Sequence, residues 1–203
     1  MNKKSRLILV DGSAYIFRAY YGLPPMNRAD GTPINAVFGF TNMLVKLIED
    51  YSDDKMIVIF DAARENFRNK IYPEYKANRG EAPDDLIATY VKLAEKDEIE
   101  TIIVSSDKDL MQLVSSKVTM LDPMKNKKID IKDVEEKFGV KPNKVIFIQA
   151  LTGDKVDNIP GAPGIGPKTA SQLINEFNDI DGLIKNLDKI KQEKRRNIFT
   201  TAN

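Results

Sequence analysis

The chain predicts an α/β fold built on a parallel sheet, followed by a small helical annex, and three observations carry that expectation. Apolar runs of four or five residues, rich in β-branched side chains, recur at 7–10, 56–60 and 101–104 with helical patterns between them. Such runs read as buried strands. Each run leads into aspartate: Asp11, Asp61 and, past Ser105-Ser106, Asp107 and Asp109. Beyond residue 130 the strand pattern stops, and short amphipathic segments punctuated by glycine and proline take over. The expected organisation is an α/β core over 1–130 and a helical annex over 131–203.

In chain order, 7–10 is the first strand. Residues 13–21 form a helix stopped by Gly22-Leu23-Pro24-Pro25. Residues 35–50 form a second helix, whose apolar face carries Val37, Phe38, Phe40, Met43, Leu44, Leu47 and Ile48. The run 56–60 is the second strand, and 66–72 is a short helix broken at Pro73. A helix over 83–98 starts on a proline suited to a first turn and repeats Leu86, Ile87, Tyr90, Val91 and Ala94 at helical spacing. Residues 101–104 form the third strand, and a short helix begins at 110–113. Strands at 118–121 and 128–131 flank a polar turn containing Pro123 and Asn126. The annex then has helices at 133–138, 143–151, 169–177 and 182–187.

Composition narrows the chemistry. Of 203 residues, 42% are hydrophobic and 30% charged, as in a folded globular chain. There is no cysteine and no histidine. Disulfides, thiolate metal sites, imidazole-bound zinc and serine or cysteine triads are thereby excluded. What remains is carboxylate, amine, guanidinium, hydroxyl and backbone, an inventory that suits hard cations such as Mg²⁺ or Mn²⁺. The net charge of +1 argues for no partner, but its distribution does. Arg64, Arg68, Lys70, Lys76 and Arg79 crowd one stretch. Lys185, Lys189, Lys191, Lys194, Arg195 and Arg196 crowd another. An acidic site between basic surfaces suits a polyanion held at a metal centre. Lys3, Lys4 and Arg6 precede an apolar run too short for a signal peptide, and no run approaches a membrane span, so the chain reads as cytosolic with no membrane partner.

In an open α/β sheet, ligands bind outside the carboxyl ends of the strands. Asp11, Asp61, Asp107 and Asp109 should therefore share one edge. Like carboxylates in one place repel unless a cation sits among them. Asp84 and Asp85 open the 83–98 helix, and Asp154 and Asp157 lie at helical spacing in Gly153-Asp154-Lys155-Val156-Asp157-Asn158. A two-metal site for phosphoryl displacement uses such a set. A single aspartate after a strand is usually a turn or helix cap, but the joint pattern favours metal. A phosphoaspartate enzyme would want a second aspartate two positions after the first, where this chain has Ser13.

The segment 158–170, Asn-Ile-Pro-Gly-Ala-Pro-Gly-Ile-Gly-Pro-Lys-Thr-Ala, is the second strong signal. Gly161, Gly164 and Gly166 let backbone turn tightly and approach another chain closely. Gly166-Pro167 opens a helix whose first amides can cradle a phosphate, with Lys168 beside them. This is not a Walker loop. The ordinary alternative is a helix hairpin held only by packing. The stretch 67–79 mixes cations with tyrosines, so Arg68 can meet phosphate and Tyr75 can stack on an unpaired base. Most charge runs are solvated faces, but this one links Asp61 to Asp84.

These words strongly resemble the 5′ nuclease (5′–3′ exonuclease) domain of bacterial DNA polymerase I and the wider flap endonuclease family. The matching text is Leu9-Val10-Asp11-Gly12-Ser13, Phe60-Asp61-Ala62, Tyr75-Lys76-Ala77-Asn78-Arg79, Asp84-Asp85-Leu86-Ile87-Ala88-Thr89, Asp107-Lys108-Asp109-Leu110, and 153–161 through 166–170. The resemblance implies a PIN-like nuclease core with a helix-three-turn-helix DNA-binding annex. It implies metal-dependent hydrolysis of DNA near the 5′ end of flapped, nicked or branched duplexes, in replication and repair. By position, Asp11, Asp61, Asp84, Asp85, Asp107, Asp109, Asp154 and Asp157 would hold two Mg²⁺ ions, with Mn²⁺ as the alternative. Lys76 and Arg79 would be catalytic, steadying the scissile phosphate, and Tyr75 would stack on the displaced base. Gly161, Gly164, Gly166 and Lys168 would grip the duplex backbone, with K⁺ at the hairpin. The expected setting is the bacterial cytoplasm at the nucleoid, as a monomer, with a DNA polymerase as a separate partner.

One departure stands out. In the family an arch and a strand follow Tyr-Lys-x-x-Arg, whereas here Gly80-Glu81-Ala82-Pro83 alone separates Arg79 from Asp84. A deletion near 80–85 joining two similar Asp-Asp-Leu words would produce this, and Glu81 is not equated with the family's glutamate ligand. The rival expectation is a catalytically impaired DNA-junction-binding remnant. A PIN-type ribonuclease would share the acidic cluster but would not need 161–168.

Overall fold

The computed structural model describes residues 5–60 and 84–190, Asp84 by its backbone alone. The helix expected at 66–72 lies outside them. The described residues form two compact units, one of 5–60, 84–110 and 116–129, the other of 111–115 and 130–190.

The first unit is a five-stranded sheet. β1 (Leu7–Asp11) is flanked by β2 (Lys55–Ile59) and β3 (Thr101–Val104), followed by β4 (Val118–Asp122) and β5 (Lys127–Ile129). The order is β2-β1-β3-β4-β5, and only β5 is antiparallel, joined to β4 by a tight hairpin. The continuous apolar runs are what a two-faced parallel sheet requires. Ile8 and Val10 of β1 and Ile102 and Val104 of β3 turn to one face. There they pack on Tyr15 of α1 (Gly12–Gly22) and Leu47 of α2 (Asn35–Asp50). Burial pushes the Tyr15 phenol up to about 12, so it stays neutral. A Cβ at Gly39 would lie 2.7 Å from the Ala19 side chain, so glycine there allows α1 and α2 to meet closely. Leu9 and Ile103 are buried on the opposite face. α3 (Asp84–Lys96) lies against β1 and β3 and brings buried Ile87, Val91 and Ala94 to cover them.

The second unit contains α4 (Ile131–Phe138), a 3-10 turn at Pro142–Lys144, α5 (Val145–Thr152), α6 (Pro167–Phe177) and α7 (Ile180–Lys185). Its core includes Val134, Val145, Ile148, Leu151, Ile165, Ala170, Ile174 and Leu183. None of the described helices is long and apolar enough to cross a membrane.

Several boundaries differ from the sequence reading. The last strand ends at Ile129 rather than 131, because Asp130 leaves the ladder to cap α4. Its carboxylate accepts the amides of Lys132 and Asp133 at 2.8 and 3.2 Å, and Asp133 returns a bond to the Asp130 amide at 3.0 Å. This reciprocal box starts the helix two residues early. Asp130→Ala should cost about 1 kcal/mol, checked by denaturant melting. α6 starts at Pro167 rather than 169, since proline suits a first helical position. The turn after β3 is a 3-10 segment over Lys108–Leu113.

Candidate functional site

Asp11 ends β1 and is 5% exposed. It also caps α1, accepting the Ala14 amide on Oδ1 at 3.0 Å. A carboxylate at this junction of strand end and helix start has its position set by two backbone elements at once. Its Oδ2 accepts the Ser105 hydroxyl at 2.9 Å from the end of neighbouring β3. Ser105 in turn accepts the Asp107 amide at 3.0 Å, and Asp107 Oδ1 accepts the Asp109 amide at 2.8 Å. Three of the strand-end aspartates named from sequence are thus tied into one corner of the parallel edge. Asp107 and Asp109 are half-buried there.

The donor set of this corner is carboxylate and hydroxyl oxygen, which fits a hard divalent cation and not a soft one. Among the described residues, no three acidic side chains converge into a metal cage. The described corner is therefore part of the set expected from sequence. Asp61, Arg68, Tyr75, Lys76 and Arg79 lie outside the described residues, as does the Asp84 side chain. Asp85 is on the first turn of α3 and exposed.

A further strand-end carboxylate, Asp122, closes the β4–β5 hairpin. It accepts the amides of Met124 and Lys125 at 2.8 and 3.3 Å, which explains its burial as a turn residue. Arg18 of α1 donates to the Pro123 carbonyl and pins that hairpin to the helix layer.

The second unit carries the glycine-rich hairpin between α5 and α6. The helical spacing expected for Asp154 and Asp157 is corrected: they sit in a tight turn closed by the paired backbones of Asp154 and Ile159 at 2.9 and 2.8 Å. Asp154 Oδ1 accepts the Val156 amide at 2.8 Å, an Asx turn, and Asn158 takes φ 58° to close it. Asp157 is buried.

The glycines divide by physical cause. A Cβ on Gly161 would lie 2.3 Å from the Thr152 carbonyl, and one on Gly153 would lie 2.3 Å from the Gly161 nitrogen. Those two glycines serve backbone-to-backbone packing inside the hairpin. Gly164 needs its φ of +75°, and nothing stands within 4 Å of where its Cβ would be. Gly166 has φ −93°, open to any residue, and empty space at its Cβ position. Neither internal packing nor backbone strain explains its being glycine. Buried Ile165 anchors the tip, leaving Gly164, Gly166 and Lys168 exposed. The first amides of α6 have no carbonyl within the helix to pair with.

Residues 6–86 and 80–139 match the family model of the 5′-3′ exonuclease N-terminal resolvase-like domain, and 140–203 match that of the 5′-3′ exonuclease C-terminal SAM fold. The two N-terminal stretches overlap at 80–86. DNA polymerase I of Rhizobium leguminosarum is 48% identical over 97% of this chain, but the chain spans only 23% of that protein. A 5′-3′ exonuclease of Aquifex aeolicus is 37% identical over 92% of this chain and 75% of its own length. Among solved structures, the bacteriophage T5 D15 flap endonuclease, complexed with DNA and metal ions, superposes with a TM-score of 0.81. It is 23% identical, over 97% of this chain and 84% of its own.

Proposed function

The chain belongs to the 5′-3′ exonuclease family, and on that premise we propose that it is a metal-dependent, structure-specific 5′ nuclease. Its substrate would be DNA with a 5′ flap, nick or branch, in replication and repair. The observation that carries this reading is the hydrogen-bonded corner of Asp11, Ser105, Asp107 and Asp109 at the carboxyl edge of the sheet.

The proposed ligands are Asp11, Asp61, Asp84, Asp85, Asp107, Asp109, Asp154 and Asp157. Bound Mg²⁺ or Mn²⁺, two ions in the full site, would supply water activation and neutralise charge on the leaving oxygen. The protein's own share is positional. β1 and β3 fix Asp11 and the Asp107–Asp109 corner before DNA arrives. Lys76 and Arg79 would hold the scissile phosphate and offset its growing charge, and Arg68 and Tyr75 would receive the 5′ strand. Gly164 and Gly166 would let the duplex backbone reach the α6 amides, with Lys168 and a K⁺ ion adding charge. Gly161 supports that hairpin from within. We place the activity in the bacterial cytoplasm, with a monomeric chain working together with a DNA polymerase.

A second reading is favoured by the doubled match at 80–86: a junction-binding remnant that lost its arch and its cutting. A 5′-labelled flap duplex, incubated with Mg²⁺, Mn²⁺ or EDTA, separates the two. Short 5′ products that vanish with EDTA are expected. A gel shift without cutting in either metal would establish the remnant instead.

A further inference from the structure

Ser105 is fully buried, carries no charge, and yet joins two of the strand-end aspartates. Its bonds have a fixed direction. The Asp107 amide can only donate, so the Ser105 oxygen is its acceptor at 3.0 Å. The single hydroxyl proton is then left for Asp11 Oδ2 at 2.9 Å. Val10 pairs with Val104 in the parallel ladder, so the next step places Ser105 across from Asp11. The Asp109 amide extends the chain by donating to Asp107 Oδ1.

We propose that Ser105 is a positioning residue of the metal centre, its hydroxyl orienting the Asp11 carboxylate and tying it to the Asp107–Asp109 corner. The inference rests on the nuclease reading above and adds a residue to it. A hydroxyl is well suited to this place. It orients the Asp11 carboxylate while leaving its full charge, and it takes one lone pair of Oδ2 while leaving the other. A lysine there would compete with the cation. An alanine would remove the bond to Asp11 Oδ2, leaving the Ala14 amide on Oδ1, and would take away the acceptor of the Asp107 amide. Partners of this kind, touching a ligand rather than the metal, typically change metal affinity by about 10–100-fold.

The test is Mn²⁺ titration calorimetry on the full chain, with Ser105→Ala and Ser105→Thr beside the wild type. Ser105→Ala should weaken Mn²⁺ binding by about tenfold or more. Ser105→Thr, which keeps the hydroxyl, should restore affinity to within about threefold of wild type. Flap cleavage by Ser105→Ala should recover as Mn²⁺ is raised, a response that a merely structural defect would not give. If circular dichroism shows Ser105→Ala unfolded, Ser105→Cys replaces it, with a weak donor of similar size and the same expected loss. Affinity for the alanine variant within twofold of wild type overturns the inference, and so does a threonine variant as weak as alanine. A wild-type chain that binds no Mn²⁺ overturns the nuclease reading itself, and the inference with it.

Discussion

Asp109→Ala should leave a folded protein that binds branched DNA and no longer cuts it. Asp109 lies in the 3-10 turn after β3, half-buried, with its amide bonded to Asp107 Oδ1 at 2.8 Å. That bond is made by backbone and survives the substitution, so the corner keeps its shape. What is lost is one carboxylate of the proposed metal set. Losing a single electrostatic group from a catalytic centre costs on the order of 10²–10³ in rate, and a missing ligand should cost at least that. Binding, on the proposed reading, would draw on phosphate contacts spread across the annex and should change little. Single-turnover cleavage of a labelled flap, beside a gel shift of the same DNA, measures both. Equal loss of cutting and binding would remove Asp109 from the metal set.

Gly153→Ala and Gly166→Ala should have opposite signatures. Gly153 has φ 69° and ψ 178°, a region that glycine alone populates. A Cβ there would also lie 2.5 Å from the Ile159 carbonyl oxygen and 2.3 Å from the Gly161 nitrogen. Backbone strain of about 1–3 kcal/mol and overpacking of about 1–3 kcal/mol act together, so the loss should reach about 2–6 kcal/mol. The hairpin should open and carry DNA binding with it. Gly166→Ala meets nothing within 4 Å and needs no unusual φ, so stability should stay within about 1 kcal/mol of wild type. Its methyl would stand where a duplex backbone is proposed to approach. Affinity for a flap duplex should therefore fall by about tenfold, or about 1.4 kcal/mol. Melting curves and DNA titrations on the two variants test the division. Unchanged affinity in a stable Gly166→Ala would mean that no backbone approaches there.

Much of this was legible in the chain. The β-branched runs specified β1 and β3, because a strand buried on both faces must be apolar throughout, and the same pattern marked β2 at the half-buried sheet edge. Parallel strands in turn require their carboxyl ends to share an edge, so Asp11, Asp107 and Asp109 could be placed together by register alone. Helix ends were less legible. Asp130 looked like the close of a strand, and only its reciprocal bonds with Asp133 show it to be a cap. Asp154 and Asp157, three apart, fit a helix by spacing, but Asn158 at positive φ folds them into a turn.

By itself, then, the sequence determined a parallel α/β core, a carboxylate edge without histidine or cysteine, and a glycine-rich helix hairpin. Those are consequences of side-chain type and period, which act locally. The tertiary structure alone decided which glycine serves which purpose and which polar residue joins the aspartates. Gly153, Gly161 and Gly166 are identical letters, and only their surroundings separate backbone packing from open surface. Ser105 and Ser106 are adjacent identical letters too. One is buried against Asp11 and the other is exposed, because successive residues at the end of β3 face opposite ways and a single hydroxyl meets the neighbouring strand.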